Sequence, residues 1–333
     1  MKPSDSPILS TSPVTTLVTS RRAVLAGAAA LGLGTLLKGP AALAQIPGAV
    51  MPLRYKLTYG SKALKVHSKA AIISYPILFM RSATAQAGNL GLYIEMAGPT
   101  VADMKALAAE AHDDLARQLA GAGYGMISGQ EAARHPDIAS MGVVPGNGKW
   151  VSGVPDPYGQ RAWYITSAEQ APLFDRLGTF DMRYENGLPW ALRHTSRELG
   201  AMLVLPRLVF DFSTAGGDTR SGSQGSTAWV GGKIQFMVKA TSIGIMWAGG
   251  PRAIEIVSSA FYPSNRDAVS PWPLLGKVTT VDRPIPPQAG PVPKRARYDV
   301  FEVDVENWRE QVRAAYRGYH KAMMDVVIAS KGG

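Results

Sequence analysis

The residue type best suited to chemistry in this sequence is histidine, and its five copies are scattered along the chain. They are His67, His112, His135, His194 and His320. His194 is the strongest candidate for a general base, because it lies between Arg193 and Thr195 on a predicted short helix. No nucleophile motif accompanies it. His194 is therefore retained as a weak catalytic candidate, and no other catalytic residue is predicted.

The spacing of the acidic residues and histidines does not predict a metal site. A metal pair on a helix needs two ligands four residues apart. Four residues from His112 lie Ala108 and Ala116, so the neighbouring Asp113 and Asp114 indicate a solvated histidine beside two carboxylates. The chain has no cysteine, which excludes disulfides, cysteine-ligated zinc, iron–sulfur clusters and thiol nucleophiles. We predict no cofactor.

Two glycine-rich stretches lack the context that phosphate binding requires. Gly121, Gly123 and Gly125 follow a helix and precede a strand, whereas a dinucleotide site needs a strand that leads into a helix. Residues 213–227 contain neither a P-loop nor a nucleophile-elbow motif. Their composition predicts a flexible loop of the hairpin kind.

Basic residues are concentrated near the C-terminus of a chain whose formal net charge is +10. A basic stripe recurs every four residues on a predicted helix, and a basic cluster precedes that helix. The stripe is Arg309, Arg313, Arg317 and Lys321, and the cluster is Lys294, Arg295 and Arg297. One interpretation is a solvated helix face partly offset by Glu306 and Glu310. The other is contact with anionic lipid, polysaccharide or an acidic partner.

Hydrophobic periodicity predicts an α+β fold in which amphipathic helices pack on a mixed, largely antiparallel sheet. Strands are expected over Ala70–Phe79, which Pro76 interrupts, and over Leu90–Met96. Thr100 precedes a helix that ends at Gly121, with Asp103 placed for a capping box. A short strand at Tyr124–Ile127 follows this helix.

The second half of the chain is predicted to contain further strands between long Gly/Pro-rich loops. A loop is expected over 142–162, a helix over Leu188–Leu199 and a strand over Met202–Phe212. Alternating residues from Ile234 begin a predicted antiparallel meander that extends to Ser258. A proline-rich arm at 263–297 and a C-terminal helix at 305–329 complete a single domain over 45–333.

The first 44 residues resemble a twin-arginine translocation signal. Arg21 and Arg22 follow a polar stretch, and the apolar run Ala23–Leu37 is fifteen residues long, shorter than the roughly 20 that a membrane span needs. Small residues at Ala42 and Ala44 form an A-x-A-type cleavage site. The resemblance implies a cleavable signal, the translocase as an export partner and a periplasmic mature chain. It makes nucleic acid an improbable partner, and no transmembrane span is predicted in the mature chain.

The predicted order of elements resembles the α/β domain of bacterial cell-envelope assembly proteins. These include the curli-secretion channel subunit, lipoprotein activators of peptidoglycan synthases and the N-terminal domain of the TolB translocation protein. The resemblance is carried by Met104–Gly123 with its following strand, by the Leu199–Val204 junction and by the meander from Ile234 to Val257. It is topological and transfers no functional residue.

Three functions remain open from the sequence. The resemblance and the export signal favour a non-enzymatic periplasmic cell-envelope protein that binds a partner or assists assembly or transport. The first alternative is an exported hydrolase with its site near His194 and the 213–227 loop. The second is a periplasmic carrier of an apolar ligand held between helices and sheet.

Overall fold

The computed structural model describes residues 48–51, 55–57, 61–156, 159–174, 188–222, 225–239, 244–247, 256–258, 267–269, 274–286 and 295–332. The described helices are α1 (Ser61–Val66), α2 (Val101–Gly121), α3 (Gly129–Ala133), α4 (Pro136–Ala139), α5 (Leu188–Leu199) and α6 (Val305–Gly332). The described strands are β1 (Tyr55–Leu57), β2 (Lys69–Ile72), β3 (Ile77–Ala87), β4 (Leu90–Ala97), β5 (Gly125–Ile127), β6 (Gly148–Asp156), β7 (Gly159–Thr166), β8 (Met202–Leu205), β9 (Leu208–Gly222), β10 (Gly225–Lys239), β11 (Gly244–Met246), β12 (Ile256–Ser258), β13 (Asp267–Val269), β14 (Gly276–Thr280) and β15 (Arg295–Val303). The predicted signal at 1–44 and Lys294 lie outside the described residues.

The strands form a small sheet, a large sheet and a two-stranded ribbon. The small sheet has the order β11-β8-β2-β5, with β2 parallel to both of its neighbours. The large sheet has the order β13-β10-β9-β3-β4-β15-β14, and the β6–β7 hairpin joins it where β7 pairs with β3. β1 and β12 form the ribbon. Most pairings in the large sheet are antiparallel, so the predicted α+β class is confirmed.

Two prolines lie where the chain passes from the small sheet to the large sheet. β2 is followed by β3 across Pro76, and β8 is followed by β9 across Pro206. The two passages run side by side, because Ile73 N donates to Val204 O at 3.3 Å and Leu208 N donates to Pro76 O at 3.2 Å. Proline has no N–H to donate to a strand ladder. Each ladder therefore breaks at its proline, and the chain enters the second sheet.

Several predicted strand and loop boundaries are wrong. The single strands expected over Ala70–Phe79 and Met202–Phe212 are each divided between the two sheets. The loop expected over 142–162 contains β6 and the start of β7. The loop expected over 213–227 is the β9–β10 hairpin, in which Gly222 pairs with Gly225. Cross-strand hydrogen bonds hold these segments extended, although glycine, which is common in them, has low β-propensity.

The described strands after Ile234 do not pair as the expected antiparallel meander. β10 pairs with β9 and β13, β11 pairs with β8 in the small sheet, and β12 pairs with β1. Alternation reports which side chains are buried, and it does not identify the strand that supplies the hydrogen bonds. The described parts of the proline-rich arm also join the large sheet, as β13 at one edge and β14 at the other.

The predicted amphipathic helix is confirmed as α2. Asp103 N donates to Thr100 Oγ1 at 3.2 Å, and Thr100 N donates to Asp103 Oδ2 at 2.7 Å. These two bonds form the predicted capping box. The fully buried apolar side chains of α2 are Met104, Leu107, Ala108, Ala111, Leu115 and Leu119. Their three- and four-residue spacing places one face of the helix on the core.

The C-terminal helix is confirmed as α6 and packs on both α2 and the large sheet. Its Trp308 ring lies 5.6 Å from the ring of Phe79 on β3. Gly318 permits a close approach of the segment 48–51, because a Cβ atom there would overlap the backbone of Met51. Met51 is fully buried, and its N–H donates to Ala314 O at 2.8 Å.

A buried polar chain links α2, α6 and the start of β3. His320 is fully buried, with Nδ1 2.7 Å from Asp114 Oδ2 and Nε2 2.7 Å from the Tyr75 hydroxyl. Burial lowers the pKa of His320 below 6.5, although Asp114 opposes this effect and His112 adds to it. The imidazole is consequently neutral in the native protein at pH 7.

We expect the free energy of unfolding to decrease as the pH falls below 6.5. The unfolded chain binds a proton at His320 near that pH, while the native chain does so only at a lower pH. The cost is about 1 kcal/mol for each pH unit down to the native pKa. Urea unfolding from pH 5 to 7.5 measures it, with His320→Gln as the variant. Equal pH slopes for the two proteins would contradict this prediction.

Candidate metal centre

Two very short helices and one longer helix carry the candidate metal centre beside the small sheet. α3 begins at Gly129, where a Cβ atom would overlap the backbone of Gln170 and approach that of Ile72. His135 is the N-cap of α4, and Pro136 occupies its first position. α5 packs on α4, β8 and β11, so the predicted helix Leu188–Leu199 is placed against α4.

A small apolar core fixes the distance between α4 and α5. It contains Ile138 from α4 and Leu192 from α5, together with Phe174, Leu205 and Met246. All five side chains are buried. Because these residues anchor both helices to the small sheet, polar side chains on the facing turns of α4 and α5 must meet at the surface.

The polar side chains that meet there are two imidazoles and two carboxylates. Glu198 Oε2 lies 2.6 Å from His135 Nε2, and Glu198 Oε1 lies 3.1 Å from His194 Nε2. The two rings are edge to face, with centroids 5.8 Å apart. Glu198 thus spans both Nε2 atoms. One donor atom from each of His135, Asp137 and His194 also lies within 4.8 Å of the others.

The Nδ1 atoms of both rings are held by other side chains. Thr195 Oγ1 lies 2.9 Å from His135 Nδ1, and Asp137 Oδ2 lies 2.7 Å from His194 Nδ1. His135 Nδ1 also accepts a hydrogen bond from the Asp137 N–H at 3.4 Å, so the proton of this ring lies on Nε2 and is donated to Glu198. A metal ion at His135 Nε2 would replace that proton. Partners on the other ring nitrogen are the usual way to orient metal-ligating histidines.

This arrangement supplies the donor atoms of a two-histidine, one-carboxylate metal site. Tetrahedral ligation at about 2.1 Å places neighbouring ligand atoms about 3.4 Å apart. Because Glu198 Oε2 lies only 2.6 Å from His135 Nε2, the carboxylate would have to move outward to admit an ion. It can do so because its side chain is 52% exposed and that of His194 is 45% exposed, whereas His135 is only 8% exposed.

His194 is the one sequence-predicted residue that lies in this cluster. Its role as a general base stays a prediction. The 213–227 segment belongs to the β9–β10 hairpin of the large sheet, while α5 contacts the small sheet. The described contacts therefore do not join His194 to the 213–227 segment, the two parts of the predicted hydrolase site.

The sequence analysis did not identify His135, Asp137 or Glu198 as site residues. One signal was present, because Glu198 follows His194 by four residues on a single helix face. His135 and Asp137 gave no such signal. α4 has only four residues, and Asp137 precedes His194 by 57 residues in the sequence.

The basic stripe on α6 pairs mainly with acidic residues of the same fold. Arg309 forms ion pairs with Asp103, at 2.6 Å, and with Glu306. Lys321 pairs with Asp325 at 2.8 Å. Arg317 donates to Ala49 O at 3.4 Å. Of the basic cluster, Arg295 is exposed on β15, and Arg297 pairs with Asp299 at 2.9 Å.

Arg313 makes the best-defined contacts of the stripe. Its Nε and Nη2 atoms donate to the two carboxylate oxygens of Glu110 at 2.8 and 2.9 Å, and Nη1 donates to Glu310 at 2.6 Å. The Arg313 hydrogen bonds lower the pKa of Glu110. This bidentate pair joins α2 to α6. Binding of an anionic surface by the stripe stays a prediction, and such binding would compete with these internal ion pairs.

The chain matches no known family model, no curated protein and no solved structure. Among the described helices, none combines the length and hydrophobicity that a bilayer crossing requires. The candidate centre is therefore interpreted from its own geometry.

We expect Arg313→Glu to destabilise the fold, because it places a third carboxylate beside Glu110 and Glu310. The free energy of unfolding should fall by about 1–2 kcal/mol. The double variant Arg313→Glu/Glu110→Arg should recover part of that loss. Lys321→Glu is the control, since Lys321 lies in an exposed pair and should cost less. Urea unfolding measures all four proteins, and equal losses for the two single variants would contradict the prediction.

Proposed function

We propose that this chain is an exported, non-enzymatic protein that binds one divalent transition-metal ion. His135 Nε2, His194 Nε2 and a Glu198 oxygen are the ligands, and Asp137 and Thr195 orient the two imidazoles. One observation carries the proposal: the Glu198 carboxylate lies between two Nε2 atoms whose rings are each held at Nδ1 by a separate side chain.

The donor set favours transition-metal ions such as Zn²⁺ over Mg²⁺ and Ca²⁺. Imidazole nitrogen suits Zn²⁺, Cu²⁺ and Ni²⁺, whereas Mg²⁺ and Ca²⁺ prefer six or more oxygen ligands. Two nitrogens and one carboxylate oxygen complete three positions of a tetrahedron. Cu²⁺ should compete with Zn²⁺ because copper stands higher in the general order of affinities.

The exposure of the ligands supports binding rather than catalysis. Asp137 is 33% exposed, His194 45% and Glu198 52%, so water reaches the site freely. Metal-assisted hydrolysis depends on a dry and shaped cavity around the metal. Three protein ligands would nevertheless leave a fourth position for water on a bound ion, which keeps the hydrolase alternative at the same residues, with His194 as a ligand.

The N-terminal sequence supports the exported location. Arg21 and Arg22, the short apolar run Ala23–Leu37 and the A-x-A-type site at Ala42 and Ala44 form the pattern of a twin-arginine signal. The translocase is then the partner during export, and the periplasm is the final compartment. A role in the cell envelope, with a protein or an anionic surface as partner, remains part of this proposal.

Isothermal titration with ZnCl₂ tests the metal site directly. The chain, purified without a histidine tag and treated with chelator, should bind one equivalent of Zn²⁺. Glu198→Gln keeps the shape of the side chain and should weaken binding at least tenfold, as should His194→Ala. Asp137→Asn should weaken it about 10–100-fold, the usual effect of losing a partner that orients a ligand.

Glu306→Gln is the matched control, because it neutralises an exposed helical glutamate outside the centre. It should leave Zn²⁺ affinity unchanged. Absence of stoichiometric binding, or equal affinity in Glu198→Gln and the wild type, contradicts the proposal. A screen of esters, phosphates and glycosides with the Zn²⁺-loaded chain decides on hydrolysis. Turnover that is lost in His194→Ala would replace binding by catalysis.

Export should depend on the arginine pair. We expect Arg21→Lys/Arg22→Lys to retain the unprocessed chain in the cytoplasm, because the translocase requires the twin arginines. Lys2→Gln, which also alters charge before the apolar run, should not affect export. Cell fractionation with immunoblotting measures both. Normal processing of the double-lysine variant would contradict a twin-arginine route.

A further inference from the structure

A cavity of about 490 Å³ lies on the large sheet between β4 and the β6–β7 hairpin, on a different sheet from the metal centre. Small-molecule sites typically have volumes of about 300–1,000 Å³. Its lining combines apolar and polar side chains. The principal ones are Arg81, Tyr93, Glu95, Met96, Trp150 and Val151.

Two β-bulges shape this cavity. The pairing of β3 with β7 shifts between Met80 and Ser82, which makes Arg81 the extra residue. The pairing of β6 with β7 shifts between Val151 and Val154, next to Trp150. A bulge leaves one residue outside the regular ladder and redirects its side chain. Both irregularities border the same cavity, so the local backbone is adapted to its shape.

Arg81 brings a positive charge to the cavity without an ion-pair partner among the described residues. Its Nη1 donates to Pro99 O at 2.7 Å, the one hydrogen bond that the described part of the chain provides to this guanidinium. Burial lowers the pKa of Arg81, and Glu95 only partly opposes this effect. A guanidinium has five N–H donors, so most of them remain for a ligand.

The carboxylate of Glu95, which also lines the cavity, has other partners. Glu95 Oε1 accepts a hydrogen bond from Arg283 Nη2 at 2.6 Å, and Glu95 Oε2 accepts one from the Tyr93 hydroxyl at 3.4 Å. Arg283 Nη2 also donates to the Tyr298 hydroxyl at 2.6 Å. Arg283 therefore balances the charge of Glu95. The charge of Arg81 is left for an anion that enters the cavity.

Several side chains that line the cavity are apolar. Trp150 is 58% exposed, and its ring contacts that of Tyr164 with centroids 5.1 Å apart and the two planes tilted by 57°. Met96 is buried, and Val151 packs against the core. An exposed tryptophan ring provides a flat surface on which a planar ligand can stack.

We infer that this cavity binds a small organic carboxylate with a flat apolar body. The carboxylate accepts two hydrogen bonds from the guanidinium of Arg81, a geometry that arginine favours. The apolar body lies against Trp150 and Val151. An inorganic anion would satisfy Arg81 but would leave the tryptophan side of the cavity unfilled.

Titration of the full chain with 2-naphthoate tests this inference by calorimetry and tryptophan fluorescence. 2-Naphthamide is the matched neutral probe, and inorganic phosphate is the anion without an apolar body. Naphthoate should bind at least tenfold more tightly than either. Arg81→Met keeps an unbranched apolar side chain and should reduce naphthoate affinity at least tenfold, while naphthamide affinity stays unchanged.

Trp150→Ala should weaken the binding of both naphthyl probes, and the variant should fold because the Trp150 side chain is 58% exposed. Trp190→Ala is its control, because Trp190 is 69% exposed on α5. Glu198→Gln should leave naphthoate binding intact, which separates this site from the metal centre. Equal affinity for naphthoate and naphthamide overturns the inference. So does unchanged naphthoate binding in Arg81→Met, in Trp150→Ala, or equal binding of phosphate.

Discussion

The missing N–H groups of Pro76 and Pro206 are the constraint on which the arrangement of both sheets depends. The two parallel passages lie side by side and are joined by the bonds from Ile73 to Val204 and from Leu208 to Pro76. Neither ladder can continue through its proline. Two strands that would otherwise be long and buried therefore each serve two sheets. The small sheet and the large sheet meet where the two ladders end, at Pro76 and Pro206, and each sheet has its own exposed surface.

The two candidate sites lie on these separate surfaces and use different kinds of irregularity. At the small sheet, the one-turn helix α4 places His135 and Asp137 next to α5. At the large sheet, one bulge places Arg81 at a cavity, and a second bulge lies next to Trp150. α2 and α6 are joined by the Arg313–Glu110 ion pair and by the buried chain through His320. Regular elements provide the rigid frame, whereas chemistry-bearing side chains come from the places where regular structure is interrupted.

The helices could be predicted from sequence because their signals are local. Thr100 and Asp103 mark the start of α2, and Gly200, at a φ of 58°, follows the end of α5. The strand partners could not be predicted, since β11 carries the same apolar signal whether it extends a meander or joins β8. The metal centre depends on a contact between α4 and α5, and the cavity depends on a bulge at Arg81. Neither the contact nor the bulge produces a periodic pattern in the sequence.

The docking of Met51 against Gly318 sets a length limit on the chain that precedes it. If the predicted cleavage after Ala44 is correct, six residues separate the new amino terminus at Gln45 from the buried Met51. Even fully extended, six residues span about 20 Å. A peptidase that acts after Ala44 would then cut within that distance of Met51. On that prediction, the length of the segment 45–50 limits how far the peptidase and the membrane can be from the protein during its release.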